Sequence, residues 1–139
     1  MNTKHIGDIS EAKIIASLLA SGRTILKPVG DNQRFDLVLF DDPKFLRVQV
    51  KTGRIDSFNS VRFSVCSLSS KNVGALTYKS HHVSYKGQVE LFGVYCPDND
   101  RCYLVPIEHV GGRECSLKLS PPETWKSRAF KLASDFEIH

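Results

Sequence analysis

The 139-residue chain contains no apolar run near the roughly 20 residues that a membrane-spanning helix needs, so no membrane association is expected. Its start, Met1-Asn2-Thr3-Lys4-His5, has no apolar segment, so no secretory signal is expected and the cytoplasm is the expected compartment. Cysteine is sparse. Cys66, Cys96, Cys102 and Cys115 form no CxxC pair, and a zinc site needs tighter spacing with a matching His pair. Reduced thiols are the simple reading. Cys96 and Cys102 flank Pro97-Asp98-Asn99-Asp100-Arg101 and are expected to face each other across a hairpin. Repeats and low-complexity linkers are also lacking.

What remains is the composition of one soluble globular domain, 41% apolar and 24% charged. A chain of this length buries roughly two thirds of the surface it exposes when unfolded. Lys and Arg exceed Asp and Glu by 19 to 15, a small excess that is compatible with a polyanionic partner.

Asp8-Ile9-Ser10-Glu11 has the form of a capping box. Ile14, Ile15, Leu18 and Leu19 continue at helical spacing, and Gly22 supplies a stop. Phe35 to Phe40 and Phe45 to Thr52 form a predicted hairpin around Asp41-Asp42-Pro43-Lys44. Further strands are expected at Val61 to Val65, Gln88 to Cys96, Cys102 to Val105 and Glu114 to Leu119. Pro121-Pro122 then breaks the chain before a predicted helix from Trp125 to Ser134. Ser67 to Ser84 has no clear assignment. This order predicts an α/β or α+β layer structure, a mixed sheet flanked by helices.

The hairpin turn places Phe40 opposite Phe45, Val38 opposite Arg47 and Asp36 opposite Gln49. Period-2 alternation then puts Leu37, Leu39, Leu46, Val48 and Val50 on one face and Asp36, Gln49 and Lys51 on the other. Directly opposed side chains lie about 5 Å apart at Cβ. Glu11 shares the inward stripe of Ile15 and Leu18, so it joins the cluster if the helix packs on the polar face. Glu11, Asp36 and the amide oxygen of Gln49 are hard oxygen donors of the kind Mg²⁺ accepts. Lys51 is placed to orient a water or neutralise charge on a phosphate. Singly, each residue has an ordinary explanation: a cap, a turn, a solvated sheet face. Their arrangement is what points to phosphodiester hydrolysis.

Glu11, then Phe35-Asp36, then Gln49-Val50-Lys51 resembles the PD-(D/E)xK nuclease superfamily, with Phe35 in the Pro position and Gln49 in an acidic position. Gly7 to Ala12, Arg47 to Arg54, Tyr85 to Phe92 and Val94 to Pro97 are similar to its branch of group I intron homing endonucleases. The resemblance implies a restriction-endonuclease-like core and Mg²⁺-dependent cleavage of both strands of DNA, with Mn²⁺ able to substitute. It also implies a homodimer or dimer of dimers. Glu11, Asp36 and Gln49 take the metal positions and Lys51 that of the catalytic lysine. Archaeal-type Holliday junction resolvases share the Glu…Asp…Lys order but keep Glu where Gln49 stands, so Gln49 favours the homing reading. A DNA-binding module without catalysis is the third reading, and Gln49 is its chief argument.

Duplex DNA requires phosphate contacts from Lys and Arg. Lys27, Arg34, Arg54 and Arg62 are candidates near the site. Ser69, Ser70, Lys71, Asn72, Lys79, His81, His82 and Lys86 form a donor-rich tract suited to phosphates and base edges. Trp125 and Phe130 are expected in core or dimer packing. One site cuts one strand, so a double-strand break calls for symmetry-related copies.

Overall fold

The computed structural model describes residues 1–73, 76–121 and 130–139; side chains at 69–81 lie outside the description. Helix α1 spans Thr3–Ala20. It begins ahead of the expected cap: Asn2 is the N-cap, and its side-chain oxygen accepts from the His5 N–H at 2.8 Å. Asp8 therefore lies within the helix, and Asp8-x-x-Glu11 is not a capping box. Ile14 and Leu18 are fully buried, as their spacing predicts.

Ten strands follow among the described residues: β1 (Thr24–Leu26), β2 (Leu37–Asp41), β3 (Lys44–Thr52), β4 (Arg54–Ile55), β5 (Ser60–Ser64), β6 (Cys66–Val73), β7 (Leu76–Ser84), β8 (Leu91–Cys96), β9 (Arg101–Pro106) and β10 (Glu114–Lys118). The main sheet has the order β1-β2-β3-β8-β9. It is mixed, because β3 and β8 run parallel while the other neighbours are antiparallel. A parallel pair needs a long crossover. Here that crossover is itself β-structure: β4 and β5, which join β10 in a second sheet, and β6 and β7, which pair with each other. The hairpin register agrees with the sequence reading from Leu37 to Asp41, with Phe40 opposite Phe45 and Val38 opposite Arg47, but the expected pair of Asp36 with Gln49 is not part of the ladder, because the Asp36 N–H bonds to the Val48 carbonyl.

The helix covers the apolar face of the main sheet, not the polar one. Ile14 and Leu18 pack with Leu37, Leu39, Val48, Leu91 and Tyr95. Gly93 allows the close approach: a Cβ there would meet Ile14 Cγ2 at 3.0 Å and Val48 Cγ1 at 3.2 Å. On the other face Phe92, Val94 and Cys96 pack with Val61, Phe63, Cys115 and Leu117 of the second sheet. Strand β8 is thus buried on both sides, as a central parallel strand should be. Gln49 pairs with Phe92 and Lys51 with Val94, so the polar stripe of β3 lies on the face that the second sheet partly covers. Both residues are half-buried, not solvated.

Two further expectations are corrected. Cys96 pairs with Arg101 and Cys102 with Tyr95. Neighbouring positions point to opposite faces, so Cys96 lies between the sheets, Cys102 lies on the helix side, and all four thiols are free. The first half of the predicted C-terminal helix, Trp125 included, falls outside the described residues. Its last part is not α-helical: the Lys131 carbonyl accepts from the Lys118 N–H, Leu132 bridges to Lys118, and Ala133–Asp135 forms a 3₁₀ turn. Among the described residues no helix is long and apolar enough to cross a membrane.

Candidate active site

Asp36 precedes the first residue of β2, where the ladder to β3 changes form. Its N–H donates to the Val48 carbonyl, and its side-chain Oδ2 accepts from the Val50 N–H at 2.8 Å. This bond draws the carboxylate towards β3 at the end of the pairing. Burial pushes the carboxyl above its ordinary range; the Val50 N–H opposes this, the Glu11 charge adds to it, and Lys51 and Lys27 counter it. Asp36 is thus a desolvated carboxylate set among charges of both signs.

Glu11 reaches the same place from α1. It borders a cavity of about 210 Å³ with Lys27, Phe35, Asp36 and the loop between them. The helix lies on the apolar face, yet the two carboxylates meet because Asp36 sits at the start of its strand. Lys27, just past β1, places its Nζ 3.1 Å from Glu11 Oε1. Glu11, Asp31 and Asp36 all line the cavity, and such carboxylates, with Asp36 kept from full solvation, suit a hard divalent cation. No three His, Cys, Asp or Glu side chains among the described residues stand close enough to hold an ion together, so an ion here would need amide, water or phosphate oxygens as well.

Lys51 approaches from the other side. Its charge acts on Asp36. Its Nζ donates to the Cys66 carbonyl and to the Tyr85 hydroxyl, both at 3.4 Å, and stands 4.8 Å from the centre of the Tyr85 ring. Gln49 does not border the cavity of Glu11 and Asp36; its Nε2 donates to the Val50 carbonyl at 3.3 Å. The structure therefore gathers Glu11, Asp36 and Lys51 electrostatically and leaves Gln49 beside them on the strand.

Several supporting residues lie in the segments that carry the resemblance but have no role in the sequence reading. Buried Ser10 and half-buried Thr52 share a hydroxyl hydrogen bond of 2.6 Å, which ties the residue before Glu11 to the residue after Lys51. Tyr85 is buried, edge-on to Phe92. Its pairing with Lys51 is visible only once the β6–β7 ribbon is folded.

The candidate DNA contacts fare differently. Arg34 binds Gln88 Oε1 and Ser67 Oγ, both at 2.6 Å, contacts the Ser84 carbonyl at 3.2 Å, and lies over the Tyr85 ring at 3.9 Å. It is a tie across the base of the ribbon. Arg62 pairs with Asp56 at 3.0 Å and Glu114 at 3.5 Å, and Arg54 lies 3.7 Å from Glu114. Both arginines belong to the second sheet's own ion pairs. His82 Nδ1 lies 3.2 Å from Cys66 Sγ. Lys86 is exposed beside a cavity formed with Val65, Ser84 and Ile107. Ser69, Ser70, Lys71, Asn72, Lys79 and His81 fall on the ribbon, with a register shift between Ser69 and Ser70; their side chains are outside the description.

No curated protein matches the chain. Among solved structures, the fold is similar to the bacterial homing endonuclease I-Ssp6803I, with a TM-score of 0.72 and 21% identity over 99% of this chain and 89% of that one. The family described as PD-(D/E)XK endonuclease matches residues 1–139. The chain belongs to the PD-(D/E)XK endonuclease family.

Proposed function

We propose that this protein is a divalent-metal-dependent endonuclease of duplex DNA, acting in the cytoplasm at a specific site in the manner of an intron homing enzyme. The observation that carries the reading is the meeting of Glu11 and Asp36 at one cavity, with the Lys51 charge within reach of Asp36. Glu11 and Asp36 would hold Mg²⁺, or Mn²⁺ in its place. Gln49, whose Nε2 is engaged with Val50, offers its Oε1 as a third, neutral ligand.

Held by these residues, a divalent ion would supply charge stabilisation and water activation. Lys51 places a fixed positive charge where the phosphate oxygens gain charge. The Cys66 carbonyl and the Tyr85 hydroxyl hold its ammonium in position, so less reorganisation is needed when DNA arrives. The Val50 N–H fixes Asp36, and the Ser10–Thr52 bond fixes the spacing between helix and strand.

The two-stranded ribbon β6–β7 is the element suited to reading DNA. It pairs with no third strand among the described residues, and a two-stranded ribbon fits the major groove. Its base adjoins Lys51 through Cys66 and Tyr85 and is tied by Arg34, so groove contacts and cleavage are mechanically joined. Ser69, Ser70, Lys71, Asn72, Lys79, His81 and His82 supply its polar donors, with Lys86 at its foot. Arg34, Arg54 and Arg62, already engaged, position the structure instead. Two copies related by symmetry would cut the two strands. I-Ssp6803I, the similar solved structure, is by its title a bacterial homing endonuclease, which favours this substrate.

The test is Mg²⁺-dependent cleavage of a random-site duplex library beside an immobile four-way junction. The expected result is cutting of both strands at one library sequence, abolished by EDTA. Symmetric cutting of the junction regardless of sequence would replace this reading with a junction resolvase, and silence on both substrates would indicate a binding module.

A further inference from the structure

The cavity between Glu11 and Asp36 already contains a cation, and it belongs to the chain. Lys27 Nζ stands 3.1 Å from Glu11 Oε1, and the same lysine borders the cavity with Asp36. The two ends of this ion pair are held very differently. The Glu11 side chain is 27% exposed on a continuous helix, whereas that of Lys27 is 58% exposed on the stretch just after β1. A flexible four-carbon stem on an exposed stretch costs little to move. The charges also nearly balance: Glu11, Asp31 and Asp36 line the cavity together with Lys27, and Lys51 stands beyond it on β3. Adding a divalent ion to this set turns one surplus negative charge into one surplus positive charge unless an ammonium withdraws. Lys51 is held by Cys66 and Tyr85; Lys27 has the exposed, single ion pair.

We propose that Lys27 is a built-in counter-ion of the metal site, one that a divalent cation must displace from Glu11 in order to bind. The inference rests on the reading of Glu11 and Asp36 as metal ligands and adds a competitor that this reading does not contain. It implies weak metal affinity in the protein without DNA, because the free site is largely neutralised by its own lysines. It also reassigns Lys27, which its charge alone marks as a phosphate contact.

The test is Mn²⁺ binding to the DNA-free protein, followed by the electron paramagnetic resonance of free Mn²⁺ up to millimolar concentration. Wild type is compared with Lys27→Met, Lys27→Arg, Glu11→Gln and Asp36→Asn, each first shown to melt cooperatively. Lys27→Met keeps the length of the stem and removes the charge, so Mn²⁺ should bind about tenfold more tightly, an effect of the size expected for one nearby charge. Lys27→Arg should stay near wild type. Unchanged or weaker binding in Lys27→Met, with binding lost in Glu11→Gln and Asp36→Asn, would overturn the counter-ion role and leave the metal site standing. Binding indifferent to Glu11→Gln and Asp36→Asn would overturn the metal site itself. No binding by wild type or Lys27→Met in this range would also count against the counter-ion.

Discussion

Asp36 shows how a single residue sets function against stability. Burial, with the Glu11 charge adding to it, raises the Asp36 carboxyl above its usual range despite the bond from Val50 and the nearby lysines. A folded-state acid with a raised pKa holds its proton more tightly than the unfolded chain does. Its ionisation therefore costs nothing below the ordinary aspartate range, and it lowers stability increasingly as pH rises through the raised value. Asp36→Asn keeps an oxygen to accept the Val50 N–H and removes the charge. Thermal unfolding should show the Asn variant melting a few degrees above wild type at pH 7, with the gap closing near pH 3. A wild type more stable than the variant at pH 7 would mean that Lys51 and the Val50 bond outweigh desolvation. Lys51 offers a second lesson at this scale. Its place on β3 is legible from alternation, but its partners, Cys66 and Tyr85, lie 15 and 34 positions along the chain, where no local pattern points to them.

At the scale of elements, the hairpin was the most readable part. Its register follows from one turn and an unbroken alternation of apolar residues, and the structure reproduces it from Leu37 to Asp41. The helix start was misread because Asp8-x-x-Glu11 satisfies the capping pattern inside a helix that Asn2 had already begun. The C-terminal segment was misread where described because Lys131 and Leu132 pair with Lys118, a tertiary interaction that overrides local helical preference. Docking of α1 on the apolar face depends on Gly93, which alternation does not single out. Gly93→Ala would push a methyl against Ile14 and Val48, both fully buried, with little room to yield. A loss of about 1–3 kcal/mol is expected, read from urea unfolding. A neutral result would show that the helix can slide, and with it Glu11 relative to Asp36.

For the molecule as a whole, the sequence displayed the site's residue types more clearly than its geometry. Glu11, Asp36 and Lys51 were legible as candidates because acid, acid and lysine fall at positions that a helix and a hairpin bring near each other. Their actual assembly uses a different route: a helix on the apolar face, an aspartate drawn in by a ladder hydrogen bond, and a second sheet over the polar face. Of the crossover from β3 to β8 only β5 was legible, as the strand expected at Val61 to Val65: β4 is two residues long, and β6 and β7 are polar strands that among the described residues pair only with each other. That crossover nevertheless carries Tyr85 and Cys66 to Lys51. The candidate site therefore joins the helix and the loop before β2 at one cavity, with Lys51 of β3 and the base of the ribbon beside it.

The most direct test of this account compares DNA cleavage and DNA binding by wild type and Lys51→Ala in the same buffer with Mg²⁺. The account predicts that Lys51→Ala binds duplex DNA within about threefold of wild type, since one charge among many phosphate contacts is lost, while its cleavage rate falls by at least about a thousandfold, as expected for loss of a charge acting on the transition state. Cleavage by Lys51→Ala at the wild-type rate, or loss of cleavage only in proportion to lost binding, would contradict it.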